Sequence, residues 1–178
     1  MTLVAEKIVV MAREFLETRN INDSYDFNEP FFQTKIKEFG WGLEFSAPSV
    51  VCEIIWKSAM RGGGLAESRY LDRLFSPSPI ATHANFRGCK EFFTGNLPQP
   101  GAIAIWKKGN SWKGMMSLVL TVSPDNKMFD VAEGKVLTGS ESQILTLEEK
   151  KGKRTDLPFK NDKMNLIGFI YPPNREIS

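Results

Sequence analysis

The chain has 178 residues, is 42% hydrophobic and 25% charged, and carries a formal net charge of +2. That length and apolar content suffice for one domain with its own core over residues 1–178, and the near-neutral balance gives no basis for nucleic acid or an anionic membrane as partner. Two cysteines, Cys52 and Cys89, and a single histidine, His83, exclude a disulfide framework and a Cys/His zinc site.

In chain order, Val4, Ile8, Met11 and Phe15 recur at helical spacing and predict an amphipathic helix over Leu3 to Thr18. Glu6 and Lys7 interrupt the apolar run a signal peptide needs, and no stretch is long enough to span a bilayer, so a soluble protein, cytoplasmic by default, is expected. Asn20 to Asn28 is polar and reads as a loop. Pro30 suits a helix first turn, with Phe31, Phe32, Ile36 and Phe39 as its apolar face and Gly40 and Gly42 as its end.

Ser46-Ala47-Pro48-Ser49 is a helix-start pattern, because a serine oxygen accepts from a free N–H and proline has none to leave unpaired. That helix runs through Val51, Ile54, Ile55 and Ala59 to Gly62. Leu65 to Phe75 predicts another helical segment, broken at Ser76-Pro77, and Ile80 to Phe86 a short helix ending near Gly88.

From Leu97 the pattern changes to short apolar runs between turn residues. Strands are predicted at Ala102 to Trp106, Met116 to Val122, Met128 to Ala132, Gln143 to Leu147 and Leu166 to Tyr171. The charged stretch Glu148 to Arg154 reads as a hairpin tip. Helices followed by antiparallel strands predict an α+β fold, with the N-terminal helices packed on the sheet.

The order of segments resembles the CHAP and NlpC-type amidases and peptidases, a papain-like superfamily acting mainly on cell-wall peptides. The family's helix start reads Pro-Trp-Cys-Ala-Ala-Phe-Val; here Pro48-Ser49-Val50-Val51-Cys52 holds that register, with Val50 in the nucleophile's place. A Pro-Gly-Asp turn precedes the family's first strand; here it is Pro100-Gly101-Ala102. The family's Gly-His-Val-Gly becomes Gly114-Met115-Met116-Ser117, with Met115 for the histidine. Ala132-Glu133-Gly134 keeps the acid of the next strand, and Leu166 to Pro172 resembles the last one. The resemblance spans roughly Val4 to Pro172 and implies a papain-like fold of bacterial or phage type.

It also implies a lost reaction. A thiol hydrolase needs a cysteine whose pKa is lowered at a helix N-terminus, and an imidazole oriented by a third polar group. Valine is no nucleophile and methionine no base. The expected function is therefore non-catalytic: binding a peptide, a muropeptide or other cell-wall fragment, or a partner protein segment in the former groove. That groove would be lined by Ser49, Val50, Trp106, Trp112, Met115 and Glu133, with no cofactor and no metal. Each residue has a plainer role beside this one. Ser49 caps a helix, Trp106 and Trp112 pack on the sheet, and Glu133 is an exposed acid beside a glycine turn. The alternative is an active cysteine amidase with displaced residues, Cys52 or Cys89 working with His83. Two residues past Val50, Cys52 would point about 200 degrees away from it, into the core. A scaffold role without a cleft is the third possibility.

Overall fold

The computed structural model describes residues 1–17, 43–60, 71–138 and 143–173. The helix expected after Pro30, the Asn-rich loop before it and most of the Leu65 to Phe75 segment lie outside these residues, although 71–74 is helical. The described chain is α+β. Helices α1 (Leu3–Glu17), α2 (Leu43–Met60) and α3 (Pro79–Arg87) precede strands β1 (Phe93–Gly95), β2 (Ile103–Lys108), β3 (Gly114–Val122), β4 (Met128–Thr138), β5 (Gln143–Arg154) and β6 (Met164–Tyr171). The strands form one antiparallel six-stranded sheet in the order β1-β6-β2-β3-β4-β5. Among the described residues no helix is long and apolar enough to cross a membrane.

The α1 stripe behaves as its spacing predicts: Val4, Ala5, Ile8, Val9 and Ala12 are buried, and Met11 and Phe15 pack beside them. In α3, Ser78 accepts a hydrogen bond from the Ala81 N–H at 3.3 Å, Pro79 fills the first turn, and Gly88 follows the last. Two expectations fail. The α2 helix begins at Leu43, so Pro48 lies inside it rather than at its start. A proline there removes one amide bond from a long helix without ending it. The stretch from Glu148 to Arg154 is not a hairpin tip but the second half of β5, paired to β4 throughout and broken only by a bulge near Val131. A dense run of charged side chains suits a strand at a sheet edge, where it discourages pairing with other chains. The Gly152 N–H at that bulge donates to the Asp130 carboxylate at 2.9 Å. For the same reason β4 continues past Glu133-Gly134 to Thr138. The three-residue β1 carried no alternation from which to predict it.

Side-chain alternation gives the sheet two buried faces. On one, Ile103, Ile105, Met116, Leu118, Ala132, Leu147 and Ile170 meet the helices. Here α2 packs across β3 and β4, while α3 packs on β1, β2, β3 and β6. Trp56 of α2 is fully buried in this layer, ringed by Phe75, Phe86 and Phe92 with centroids 5.8–6.2 Å away. Its Nε1 donates to the Gly101 carbonyl at 3.1 Å, which ties α2 to the turn that starts β2. Lys57, one residue on, bridges the carboxylates of Glu53 and Asp72. On the other face Ala102, Ala104, Trp106, Val119, Phe129, Val131 and Phe169 form a second cluster, to which none of the described helices contributes a residue.

Topology supplies a cover for that second face. Each strand is antiparallel to its neighbour, so β5 and β6 run in the same direction although four pairings separate them. The chain must therefore travel the length of the sheet between the end of β5 and the start of β6. Residues 155–163 do this as a strap, whose nine residues reach ~30 Å when extended. At one end the Thr155 N–H donates to the Lys127 carbonyl at 3.0 Å, beside the β3–β4 turn. At the other the Gly109 N–H donates to the Lys163 carbonyl at 3.1 Å, beside the β2–β3 turn. Gly109 has φ +47, and a side chain there would run into the Asn161 backbone, so the strap can dock only on a glycine.

Candidate functional site

A groove of about 240 Å³ opens between the strap and β6, with Trp106 at its back. Its apolar lining comes from Trp106, Leu157, Pro158, Met164 and Leu166, and its charged lining from Arg154, Lys160 and Lys163. Trp106 faces this side because it follows Ala102 and Ala104 at a spacing of two along β2, and a bulge after Ile105 pairs it with Leu166 of β6. Its indole N–H donates to Ser117 Oγ at 2.9 Å, and its ring stacks on Phe129 at 6.1 Å and 19°. The hydrogen bond satisfies the only polar atom of a ring that is 6% exposed, which fixes its orientation at the groove.

Behind Trp106 lies an ion pair. Lys153 Nζ sits 5.4 Å from the Trp106 ring centroid and 3.2 Å from Glu133 Oε1. That oxygen is buried and accepts no hydrogen bond among the described residues, where the Lys153 charge is its compensation. An ammonium held between a ring face and a carboxylate is stabilised by both. At the rim, Arg154 is held by Asp156 through two hydrogen bonds of 2.9 and 2.8 Å. Lys160 and Lys163 are exposed and have no such partner among the described residues.

The residues singled out in the sequence divide between the two faces of the sheet. Trp106, Met115 and Glu133 share the second face: Met115 is the cross-strand partner of Trp106 and packs on the same cluster. Ser49 and Val50 lie on the first face. Val50 is 1% exposed within the core between helices and sheet, and stands seven residues beyond the first residue of α2. The positive end of that helix therefore does not act on it. Ser49 is buried too and donates to the Pro77 carbonyl at 3.4 Å, instead of capping α2. Val50 and Met115, expected at the mouth of one cavity, are thus separated by the sheet. Trp112 is 62% exposed in the β2–β3 turn and is not among the lining residues of the groove.

Cys52 is fully buried, as expected, but in the same core as Val50 rather than on the side opposite a groove, because consecutive positions of α2 are enclosed there; burial, aided by the charge of Glu133, pushes its thiol well above the ordinary range. A thiol raised in this way is a poor nucleophile. His83 lies in α3 against β6, where Gly168 leaves room for it: a side chain at Gly168 would meet His83 Nε2 at 3.1 Å. No hydrogen bond joins Cys52 to His83 among the described residues. The Cys89 thiol contacts a Glu91 oxygen at 3.0 Å in the segment before β1. Among the described residues no group of three or more His, Cys, Asp or Glu side chains is placed to hold a metal ion.

His83 has a consequence for stability. Burial, and secondarily the charge of Arg87, hold its pKa below the ordinary 6.5. The unfolded chain then binds a proton at a higher pH than the folded one. This term is constant above about pH 6.5 and works against folding as pH falls below it. Urea midpoints are expected to decline from pH 7 to pH 5, and His83→Gln should flatten that decline; an unchanged slope in the variant would count against the assignment.

Sequence reasoning found Trp106 but missed the strap. Its signal was present in Leu157-Pro158-Phe159, an apolar triplet inside a charged stretch, whose Leu157 and Phe159 are 65% and 56% exposed. Comparison with family models, with curated proteins and with solved structures finds no match to this chain.

Proposed function

We propose that this chain is a non-catalytic, papain-like domain of the CHAP and NlpC type that binds a peptide, a cell-wall fragment or a partner segment. Because Val50 and Met115 lie on opposite faces of the sheet, the binding site in this reading is not the groove that the resemblance puts between them but the one under the strap, which shares only Trp106 with it. N-terminal helices packed on an antiparallel sheet support the papain-like part. The groove itself carries the binding part: an immobilised indole, bulky aliphatic walls and cations at the rim form a concave surface with polar groups at its edge. The burial of Cys52, which raises its thiol, disfavours hydrolysis by that cysteine.

The test has two arms. Iodoacetamide at neutral pH should leave Cys52 unlabelled in the folded protein, and muropeptides should release no new amine. A displayed random-peptide library should yield binders whose capture is lost when Leu157 and Phe159, both exposed, are changed together to aspartate. Amide hydrolysis abolished by Cys52→Ser would overturn the proposal in favour of an enzyme. A library that yields no binder would remove the binding role.

A further inference from the structure

The groove's charge is one-sided. Its lining holds three cationic side chains, Arg154, Lys160 and Lys163, and no acidic one. Arg154 is already committed to Asp156 through its two-point contact. Lys160 and Lys163 have no such partner among the described residues, and they flank the turn that returns the strap to β6. That turn is rigid: the Asn165 side chain accepts from the Lys160 N–H at 2.7 Å and donates to the Lys160 and Lys163 carbonyls, each at 2.8 Å. The backbone that carries the two ammonium groups is therefore set before any ligand arrives.

We infer that the groove selects an acidic peptide segment, seating a carboxylate between Lys160 and Lys163 and the bulky apolar side chain next to it against Leu157, Met164 and Leu166. This inference rests on the binding role proposed above and names the ligand class for it. Charge complementarity points to the carboxylate, and the apolar walls to the neighbouring side chain. The size of the groove points the same way. It falls below the roughly 300–1,000 Å³ of sites that enclose a drug-sized molecule, so it takes one side chain and its backbone rather than a whole cofactor. A nucleic acid or lipid surface would call for an extended basic face, whereas the chain as a whole is close to neutral. Exposed ion pairs add little affinity but discriminate between ligands. The apolar contact holds the segment, and the two lysines choose it.

The experiment titrates the intact chain with the acetylated, amidated pentapeptide Gly-Phe-Glu-Leu-Gly and with its counterpart carrying Gln for Glu, by calorimetry at low and high salt. Lys160→Glu with Lys163→Glu provides the matching change in the protein, at exposed positions that bear no core contact. The acidic peptide is expected to bind about fivefold more tightly than the amide, to lose that advantage in high salt, and to lose it in the doubly reversed variant. Equal binding of the two peptides, or a preference that survives the charge reversal, would overturn the acidic ligand class and leave the binding role standing. Binding to phosphatidylserine vesicles with no peptide binding would also overturn it. Failure of both pentapeptides, together with an empty library screen, would sink both readings. Failure of both pentapeptides against a productive screen would sink this one alone.

Discussion

Replacing Trp56 with alanine is expected to destabilise the protein by ~3–5 kcal/mol, the cost typical of deleting a large buried aromatic. The side chain is fully buried among three phenylalanines, two of them in edge-to-face contact. Its removal leaves a void that rigid rings cannot collapse into, and it orphans the Gly101 carbonyl. Trp56→Phe separates the two effects: it keeps most of the packing and should cost ~1–3 kcal/mol, chiefly from the unsatisfied carbonyl. Urea denaturation of the two variants measures both. A loss below 1 kcal/mol in the alanine variant would show that the aromatic cluster is not the core it appears to be in the fold.

The second large effect concerns the bridge inside α2. Burial alone would lower the pKa of Lys57, but hydrogen bonds to Asp72 and Glu53 outweigh it and hold the ammonium above its ordinary 10.5. Its contribution is therefore complete at neutral pH and is lost only as pH rises through the alkaline range. Lys57→Met takes a close cation away from Glu53, which is 4% exposed, and is expected to cost ~3–5 kcal/mol because breaking one side of a buried ion pair weakens the compensation of the charge that stays. Removing the acid as well, with Glu53→Leu, should recover most of that loss, since a buried ion pair and an apolar pair of similar volume are often close in stability. The urea midpoints of the single and double variants decide the matter. A double variant no more stable than the single one would mean that the bridge orients α2 and does not merely neutralise it.

The helices and strands were legible wherever one periodicity dominated. The α1 stripe, the short helix over Ile80 to Phe86 and the apolar runs of β2 and β3 each point to a single local structure, and each is found. What misled was local punctuation read without its tertiary setting. Pro48 looked like a first-turn residue because proline is most at ease there, yet α2 extends upstream of it. The charges of β5 looked like a tip because charge seeks water, yet an edge strand also offers water on one side. The candidate site was half legible. Trp106, Met115 and Glu133 do share a face, but Val50 could not be assigned to the opposite one without knowing where α2 begins. The Leu157-Pro158-Phe159 triplet marked the strap as unusual, but its course was not legible: it runs as it does because β5 and β6 are parallel and far apart in the sheet, a property of strand order that no local pattern encodes.

That strand order also bears on how the protein is made. β6 is the last of the described strands to leave a ribosome, yet it belongs between β1 and β2. Until it arrives β1 has no partner among the described strands, and one side of β2 presents unpaired amides and carbonyls along the buried run Ile103 to Trp106. A nascent chain in that condition offers a template to any extended segment nearby. Slow synthesis through residues 155–163 prolongs the hazard, and a chaperone that shields β2 would shorten it.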